Sequence, residues 1–210
     1  MEGIADIDLC KVACSAPLAL LNTRSTMCTA LALTSPRVRL RPWRSDDREP
    51  FAQMNADARV MEFFRCPLDR NGSDSLVDRI QQHWEDHGFG LWALELPGTA
   101  PFIGFCGLSK VRFSAHFTPC VEVGWRLAAA HWGHGYATEA AKLAIAYGFS
   151  DLALPEVVSF TATGNLRSRA VMKRLGMHHD PTEDFDHPSL PHGHPLSRHV
   201  LYRLSNTQTS

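Results

Sequence analysis

Hydrophobic and polar residues follow two different periods along the chain, and the periods alternate from about residue 35 onward. Short stretches rich in apolar residues predict strands, and these are "VRLRPW", "GLWALEL", "FIGFCGLSKVRF", "CVEVGWRL", "EVVSFTAT" and "HVLYRL". Longer stretches predict helices, and these are "SDDREPFAQMNADARVMEFF", "SDSLVDRIQQHWEDHG", the alanine-rich run that ends near Phe149, and "NLRSRAVMKRLG". Because helices are inserted among strands, we expect an α+β domain with a mixed sheet.

Three arginines alternate with apolar residues in the first predicted strand. Arg37, Arg39 and Arg41 therefore share one face of that strand. We expect this face to be solvated, with guidance of an anionic ligand as the alternative.

The patterned part of the chain does not begin at its first residue. Residues 1–34 lack a sustained period and are predicted to be a poorly ordered extension. We expect one domain over residues 35–206 and a short tail over residues 207–210.

Composition narrows the class of protein further. The 210 residues are 44% hydrophobic and 20% charged, with a formal net charge of -1, which is typical of a globular protein without a nucleic-acid or anionic-membrane partner. The six cysteines form no C-x-x-C pair, which favours free thiols in a reducing compartment. No apolar run could span a bilayer, and the acidic opening segment is unlike a signal peptide, so we expect a cytoplasmic protein.

Two glycines stand directly before the alanine-rich helix. Gly133 and Gly135 lie where a predicted strand turns into that helix. The first N–H groups of a helix lack internal partners and attract anions, so the turn is a candidate phosphate site. A plain left-handed turn would also use glycine. The P-loop and the dinucleotide fingerprint are both excluded, because neither pattern is present.

The residues around the glycines favour the phosphate site over a plain turn. "VEVGWRLAAAHWGHGYATEA" resembles motif A of the GNAT acetyltransferase superfamily, with Trp132, Gly135 and Ala137 in place of its Q/R, first glycine and final G/A. It looks like the branch of the ribosomal-protein N-terminal acetyltransferases. A second segment is similar to another motif of that branch, through Asn165, Ser168, Val171, Arg174, Gly176 and Met177. The resemblance covers roughly residues 36–204.

The resemblance implies a fold and a co-substrate. The fold is the GNAT fold, a mixed, mostly antiparallel sheet flanked by helices and splayed between the family's fourth and fifth strands, here "CVEVGWRL" and "EVVSFTAT". Acetyl-CoA lies in that opening in the family, and no metal is implied. The positions expected to bind it are Trp125, Arg126, Leu127, Trp132, Gly133, His134, Gly135, Tyr136, Ala137, Thr138, Asn165 and Ser168. Asn165 is also a good helix N-cap, and we expect both roles together.

Catalytic roles follow from the same resemblance. The backbone N–H of Leu127 is expected to stabilise the oxyanion. Glu122 is the expected base for the amine, while the alternative is a carboxylate held by a cation such as Arg126. The family's tyrosine acid falls at Met172, which cannot donate a proton, so Ser168, Tyr202 or solvent would substitute.

The acceptor side is less clearly marked. Phe63, Phe64 and Trp92 are candidates to line the acceptor pocket, although aromatic residues are more often core residues. Residues 178–199 are rich in histidine and are expected to form a loop that borders the pocket, with His194 as the candidate pocket residue. Metal binding by this segment is the minor alternative.

The predicted function is transfer of acetyl from acetyl-CoA to a primary amine by direct attack in a ternary complex. The acceptor is a protein N-terminus or a small amine, and the protein is a monomer or a homodimer. The alternative is a non-catalytic regulatory module that binds acyl-CoA.

Overall fold

The computed structural model describes residues 31–207, which form one mixed sheet covered by four helices. The strands are β1 (Leu33–Thr34), β2 (Arg39–Arg41), β3 (Leu91–Leu96), β4 (Ala100–Lys110), β5 (Val121–Leu127), β6 (Glu156–Ala162), β7 (His178–His179), β8 (Phe185–Asp186) and β9 (Arg198–Ser205). The helices are α1 (Arg48–Ala56), α2 (Arg70–His87), α3 (Tyr136–Ser150) and α4 (Leu166–Arg174). The expected α+β class is confirmed.

The sheet opens in its middle. Its order is β1-β2-β3-β4-β5-β6-β9-β7, with β8 beside β9. Neighbouring strands pair antiparallel, except that β5 and β6 run parallel and meet at one register pair, Glu122 with Val158. Toward its end at Leu127, β5 therefore pairs with β4 alone. This is the splay that the resemblance predicts.

Helices cover both faces of the sheet, which explains why every residue of β3 is buried. On one face α1 and α2 pack through Phe51, Leu76 and Ile80 against Phe105. On the other face α3 packs closely, because its inner side consists of small residues, which are Ala140, Ala141 and Ala144. Side chains of successive strand residues point to opposite faces, so each face has its own core.

The first two helices differ in length from the predicted ones. Helix α1 ends at Ala56 rather than Phe64, because the Asp57 carboxylate accepts a hydrogen bond from the Arg59 N–H and forms a turn there. Helix α2 begins earlier than predicted, since the Asp69 side chain caps the N–H of Gly72. The predicted stop at Gly88 is confirmed, with φ at 72°.

The arginine face of the first predicted strand is not uniformly solvated, and the prediction is wrong for Arg41. The Arg41 side chain is only 2% exposed and forms ion pairs with Asp47 at 2.7 Å and Glu95 at 2.6 Å. Alternation on a strand does not show that the next helix supplies a carboxylate to this face. Arg39 keeps 42% of its side chain exposed, as expected.

The ends of the chain are partly outside the described residues. Residues 1–30 of the predicted extension and residues 208–210 of the predicted tail lie there. Leu33 and Thr34, which the prediction included in the extension, pair with β2. Within residues 31–207, Cys106 and Cys120 are free thiols, and no helix has the length and apolar character needed to cross a membrane.

Candidate functional site

A cavity of about 700 Å³ occupies the opening between β5 and β6. This volume is in the usual range for small-molecule sites. Its wall includes every position that the resemblance assigns to acetyl-CoA, from Trp125–Leu127 on β5, through residues 132–138, to Asn165 and Ser168 at the start of α4. Glu122, Phe63 and Phe64 also line it.

The glycine loop has the backbone conformation of an anion site. Gly133 and Gly135 have φ values of 81° and 82°, in the left-handed region that favours glycine. Gly135 is the N-cap of α3, so the N–H groups of the following residues have no acceptor within the helix. A plain left-handed turn, the alternative given above, would have the same backbone conformation. The cavity in front of the loop is what distinguishes a binding site from such a turn.

A buried hydroxyl points to the same ligand chemistry. Thr138 lines the cavity, and within the described part of the chain its Oγ1 is buried without a hydrogen-bond partner. A hydroxyl in this position can donate to an oxygen anion in front of the loop. The loop and Thr138 thus fit the pyrophosphate of acetyl-CoA.

The loop is held from outside by the N-terminal segment. Arg37 donates to the His134 carbonyl at 3.1 Å and to the Glu139 carboxylate at 2.7 Å. Ser35 also donates to Glu139, at 2.6 Å. Burial alone would raise the pKa of Glu139, but the hydrogen bonds from Ser35 and Arg37 hold it below its ordinary value. Glu139 is therefore tied to these two residues outside the cavity.

The main chain at the end of β5 faces the opening. Ala128 donates its N–H to the Ile103 carbonyl of β4 at 2.9 Å. Hydrogen-bonded pairs alternate with non-bonded ones along an antiparallel ladder, so the main-chain groups of Leu127 and Trp125 point away from β4. The Leu127 carbonyl accepts from Trp132 Nε1 at 2.8 Å, in agreement with this direction. The Leu127 N–H is thus directed toward the opening between β5 and β6.

Asn165 fixes the other wall. Its side-chain oxygen accepts from the Ser168 N–H at 3.2 Å and caps α4, while its amide donates to Thr161 on β6 at 2.9 Å. The cap and the bond to β6 set α4 against the edge of the cavity, where the Ser168 side chain also lies.

Two charged residues on one face of β5 belong to the cavity wall. Glu122 and Arg126 are 3% and 5% exposed. The Arg126 Nη1 donates to Asn55 Oδ1 at 2.7 Å, and the guanidinium lies 4.0 Å from the centre of the Phe64 ring. Burial lowers the pKa of Arg126 to about 9.

Two predicted pocket residues lie elsewhere, and these predictions are corrected. Trp92 is fully buried between Trp84 and Tyr147, with its Nε1 bonded to the Leu31 carbonyl, so it is a core residue. His194 accepts from the Leu196 N–H within its own loop and is not part of the cavity wall. Every residue of β3 is buried, so the sequence pattern does not show which face of the strand holds Trp92. A position in a loop likewise does not fix the direction of the His194 side chain.

Another histidine takes the predicted position. His199, at the start of β9, lines the cavity, and its Nδ1 bonds to the Ser197 carbonyl at 3.0 Å. Since a carbonyl only accepts, Nδ1 carries the proton and Nε2 is the basic nitrogen. Burial lowers the pKa of His199, so the ring is neutral at pH 7. The sequence signal for His199 was its position at the start of the final predicted strand, which fixes it beside the sheet rather than in the loop.

The expected substitutes for the tyrosine acid are separated by the fold. Met172 and Ser168 line the cavity, whereas Tyr202 lies in the core with its ring against His179. Among residues 31–207, no group of three or more acidic, cysteine or histidine side chains could hold a metal ion.

Fold and cavity together define an acetyltransferase of the GNAT type, and comparison with known proteins shows the same. The model of the GNAT acetyltransferase domain matches residues 37–178, and the chain belongs to this family of enzymes, which use acetyl-CoA as co-substrate.

Individual relatives agree with the family. The chain is 32% identical over 163 residues to an FsC-acetyl coenzyme A-N(2)-transacetylase of Aspergillus fumigatus, covering 71% of this chain and 66% of that protein. The solved structure of an acetyltransferase from Agrobacterium tumefaciens has a TM-score of 0.67 at 26% identity, covering 90% of this chain and 99% of that one. A putative ribosomal-protein-serine acetyltransferase from Vibrio cholerae shares the fold, with a TM-score of 0.68 at 17% identity over 85% of this chain and 99% of its own.

Proposed function

We propose that this protein transfers the acetyl group of acetyl-CoA to a primary amine by direct attack within a ternary complex. The observation that carries the proposal is the cavity itself, which opens between β5 and β6 with the glycine loop, the main chain of β5 and a buried carboxylate on its wall.

The first step is binding and alignment of the thioester. The N–H groups of residues 133–138 and the Thr138 hydroxyl are the proposed donors to the pyrophosphate. Main-chain groups of Trp125 and Leu127, which face away from β4, are the proposed partners of the pantetheine arm. A segment added to an open strand edge gains hydrogen bonds without disturbing the sheet.

The second step is attack of the amine nitrogen on the thioester carbon. Negative charge develops on the carbonyl oxygen, and the Leu127 N–H is the proposed donor that stabilises it. As the intermediate collapses, the C–N bond is retained, the C–S bond breaks, and thiolate leaves toward the cavity, where Ser168 is the proposed side-chain proton donor.

The acceptor ammonium must lose one proton before its nitrogen can attack, and the nitrogen loses a second proton as the amide forms. Glu122 is the proposed base. Among the described residues that line the cavity it is the one acidic residue, and it lies on the strand that borders the thioester. His199 is a second candidate, since it lines the same cavity as a neutral imidazole. We propose cytoplasmic location as well, on the basis of the free thiols of Cys106 and Cys120.

The test is release of free thiol from acetyl-CoA against a panel of primary amines and short peptides, with the acetylated product identified by mass. We expect saturable release that depends on one class of amine. Binding of acetyl-CoA without release by any acceptor would instead support the alternative, a regulatory module that binds acyl-CoA.

A further inference from the structure

Arg126 is a buried cation on the cavity wall without an acidic partner in the described chain. It is 5% exposed, donates one hydrogen bond to Asn55 at 2.7 Å, and lies over the rings of Phe64 and Phe105. Its Nε is buried without a hydrogen-bond partner among residues 31–207. Burial is what lowers the pKa of this guanidinium, and no carboxylate counteracts it.

Arg41 is a buried arginine with a structural role, and its surroundings differ from those of Arg126. Arg41 is equally buried, but two carboxylates, Asp47 and Glu95, neutralise it. Removing a charge from water without a partner is energetically unfavourable. The unpaired state of Arg126 therefore reduces the stability of the free protein, as functional residues often do.

The guanidinium is also held in place. Asn55 donates to Ser73 Oγ at 3.0 Å with its amide nitrogen, which leaves its oxygen for Arg126. Both Asn55 and Ser73 are fully buried. The chain of bonds from α2 through α1 to β5 thus fixes the orientation of the planar group beside the cavity.

We propose that Arg126 binds a carboxylate of the acceptor, so that the acceptor is an amine that also carries a carboxylate. The guanidinium has N–H donors in a fork that matches a carboxylate. Glu122 lies four residues away on the same face of β5, about 13 Å along the strand. The cavity therefore offers a negative group for the ammonium and a positive group for the carboxylate of one molecule. This inference rests on the proposed function.

The chemistry of transfer is unchanged by this contact. The acceptor carboxylate keeps its charge throughout, while the C–N bond forms and the C–S bond breaks at the other end. Arg126 is thus a residue for acceptor specificity, and its loss should appear in the KM of the acceptor.

The test compares acceptors that differ only in the carboxylate, such as 5-aminopentanoate and pentylamine, together with shorter and longer pairs. We expect the wild-type protein to prefer the carboxylated member of a pair. Arg126→Met should raise the KM of that member about 10- to 100-fold and reduce the preference for it over pentylamine by the same factor. The affinity for acetyl-CoA should be kept, because the co-substrate is expected to meet the main chain of β5, which the substitution leaves in place. The melting temperatures of the two proteins serve as the folding control, since the substitution removes a buried charge but also the donor to Asn55 Oδ1.

The control is Arg167→Met, which removes a half-exposed arginine of the same wall that pairs with Glu62. This variant should affect both members of a pair alike. Equal losses for both acceptors in Arg126→Met, or weaker binding of acetyl-CoA, would overturn the proposal, since the second result would place a phosphate of the co-substrate at Arg126.

A binding measurement separates failure of this inference from failure of the proposed function. Calorimetry with N-acetyl-5-aminopentanoate and N-pentylacetamide needs no turnover. If no amine stimulates thiol release, the proposed function fails, but tighter binding of the carboxylated compound by wild type, lost in Arg126→Met, would still support the carboxylate site. Equal affinities for the two compounds in wild type would reject it.

Discussion

At the scale of single residues, Glu122 and His199 are the two proposed bases for the amine, and both line the cavity. They lie on different strands, β5 and β9, on either side of β6. Only one of them needs to act as the base, and a general base is worth about 10²- to 10⁴-fold in rate.

We predict that Glu122→Gln lowers kcat by about 10²- to 10⁴-fold with little change in the affinity for acetyl-CoA, because it keeps the size of the side chain but removes the proton acceptor. The matched variant is His199→Gln, which should retain most of the activity. Steady-state kinetics with thermal melts of both variants would check this. A large loss in His199→Gln, with Glu122→Gln active, would assign the base to His199 instead.

At the scale of elements, the buried cluster of Arg41, Asp47 and Glu95 joins β2, the start of α1 and β3. Asp47 also accepts from the Arg44 N–H at 2.7 Å, so the strand-to-helix connection depends on its carboxylate. The cluster fixes α1, which supplies Asn55 to Arg126.

We predict that Arg41→Ala lowers the free energy of unfolding by about 3–5 kcal/mol, because two buried carboxylates lose their cation. Arg39→Ala is the control two residues away, where the exposed pair with Glu95 at 3.6 Å should be worth at most about 1 kcal/mol. Urea titrations of both variants measure the difference. Equal, small losses would mean that Arg41 is not essential to the cluster.

The sequence predicted elements better than it predicted their surroundings. The αL stop at Gly88 and the turn at Gly133 and Gly135 were predictable, because glycine marks local backbone conformations. The end of α1 at Ala56 was not, since it depends on how the Asp57 side chain folds back. The burial of Arg41 was also not predictable, because its partner Glu95 comes from a strand 54 residues away.

At the scale of the whole molecule, stability is linked to pH through buried neutral histidines. His83 accepts from the Lys110 N–H at 3.1 Å and bonds to the Phe89 carbonyl at 2.8 Å, and burial lowers its pKa to about 4. Burial likewise lowers the pKa of His187 to about 3 and lowers that of His199.

A lowered histidine pKa means that the unfolded chain binds more protons than the folded one below about pH 6.5. We predict that the free energy of unfolding falls as the pH falls from about 6.5 to 4, with His83 contributing up to about 1.4 kcal/mol per pH unit. His83→Gln, which can keep both hydrogen bonds, should flatten this dependence. His192→Gln, at an exposed loop position, should leave the slope unchanged. Parallel slopes for wild type and His83→Gln would contradict the prediction.

The candidate site shows the same division between local and long-range information. The glycine loop and Asn165 could be placed from sequence, because the left-handed turn of the glycines and the cap of α4 by Asn165 involve only residues close by in the chain. Trp92 and His194 were misplaced, and the hydrogen bond of Arg126 to Asn55 was not predicted, because strand pairing and helix packing decide what a side chain faces.

The central claim is that acetyl-CoA binds in the cavity with its pyrophosphate at the glycine loop, and calorimetric titration of acetyl-CoA tests it most directly. Gly135→Asp and Gly135→Asn share the left-handed backbone that Asp and Asn both tolerate, and an added Cβ meets only Arg37 at 3.6 Å. They therefore differ mainly in charge. We predict that wild type binds and that Gly135→Asp binds at least about 10-fold more weakly than Gly135→Asn, through repulsion of the pyrophosphate. Equal affinities of the two folded variants, or no binding by wild type, would contradict the claim.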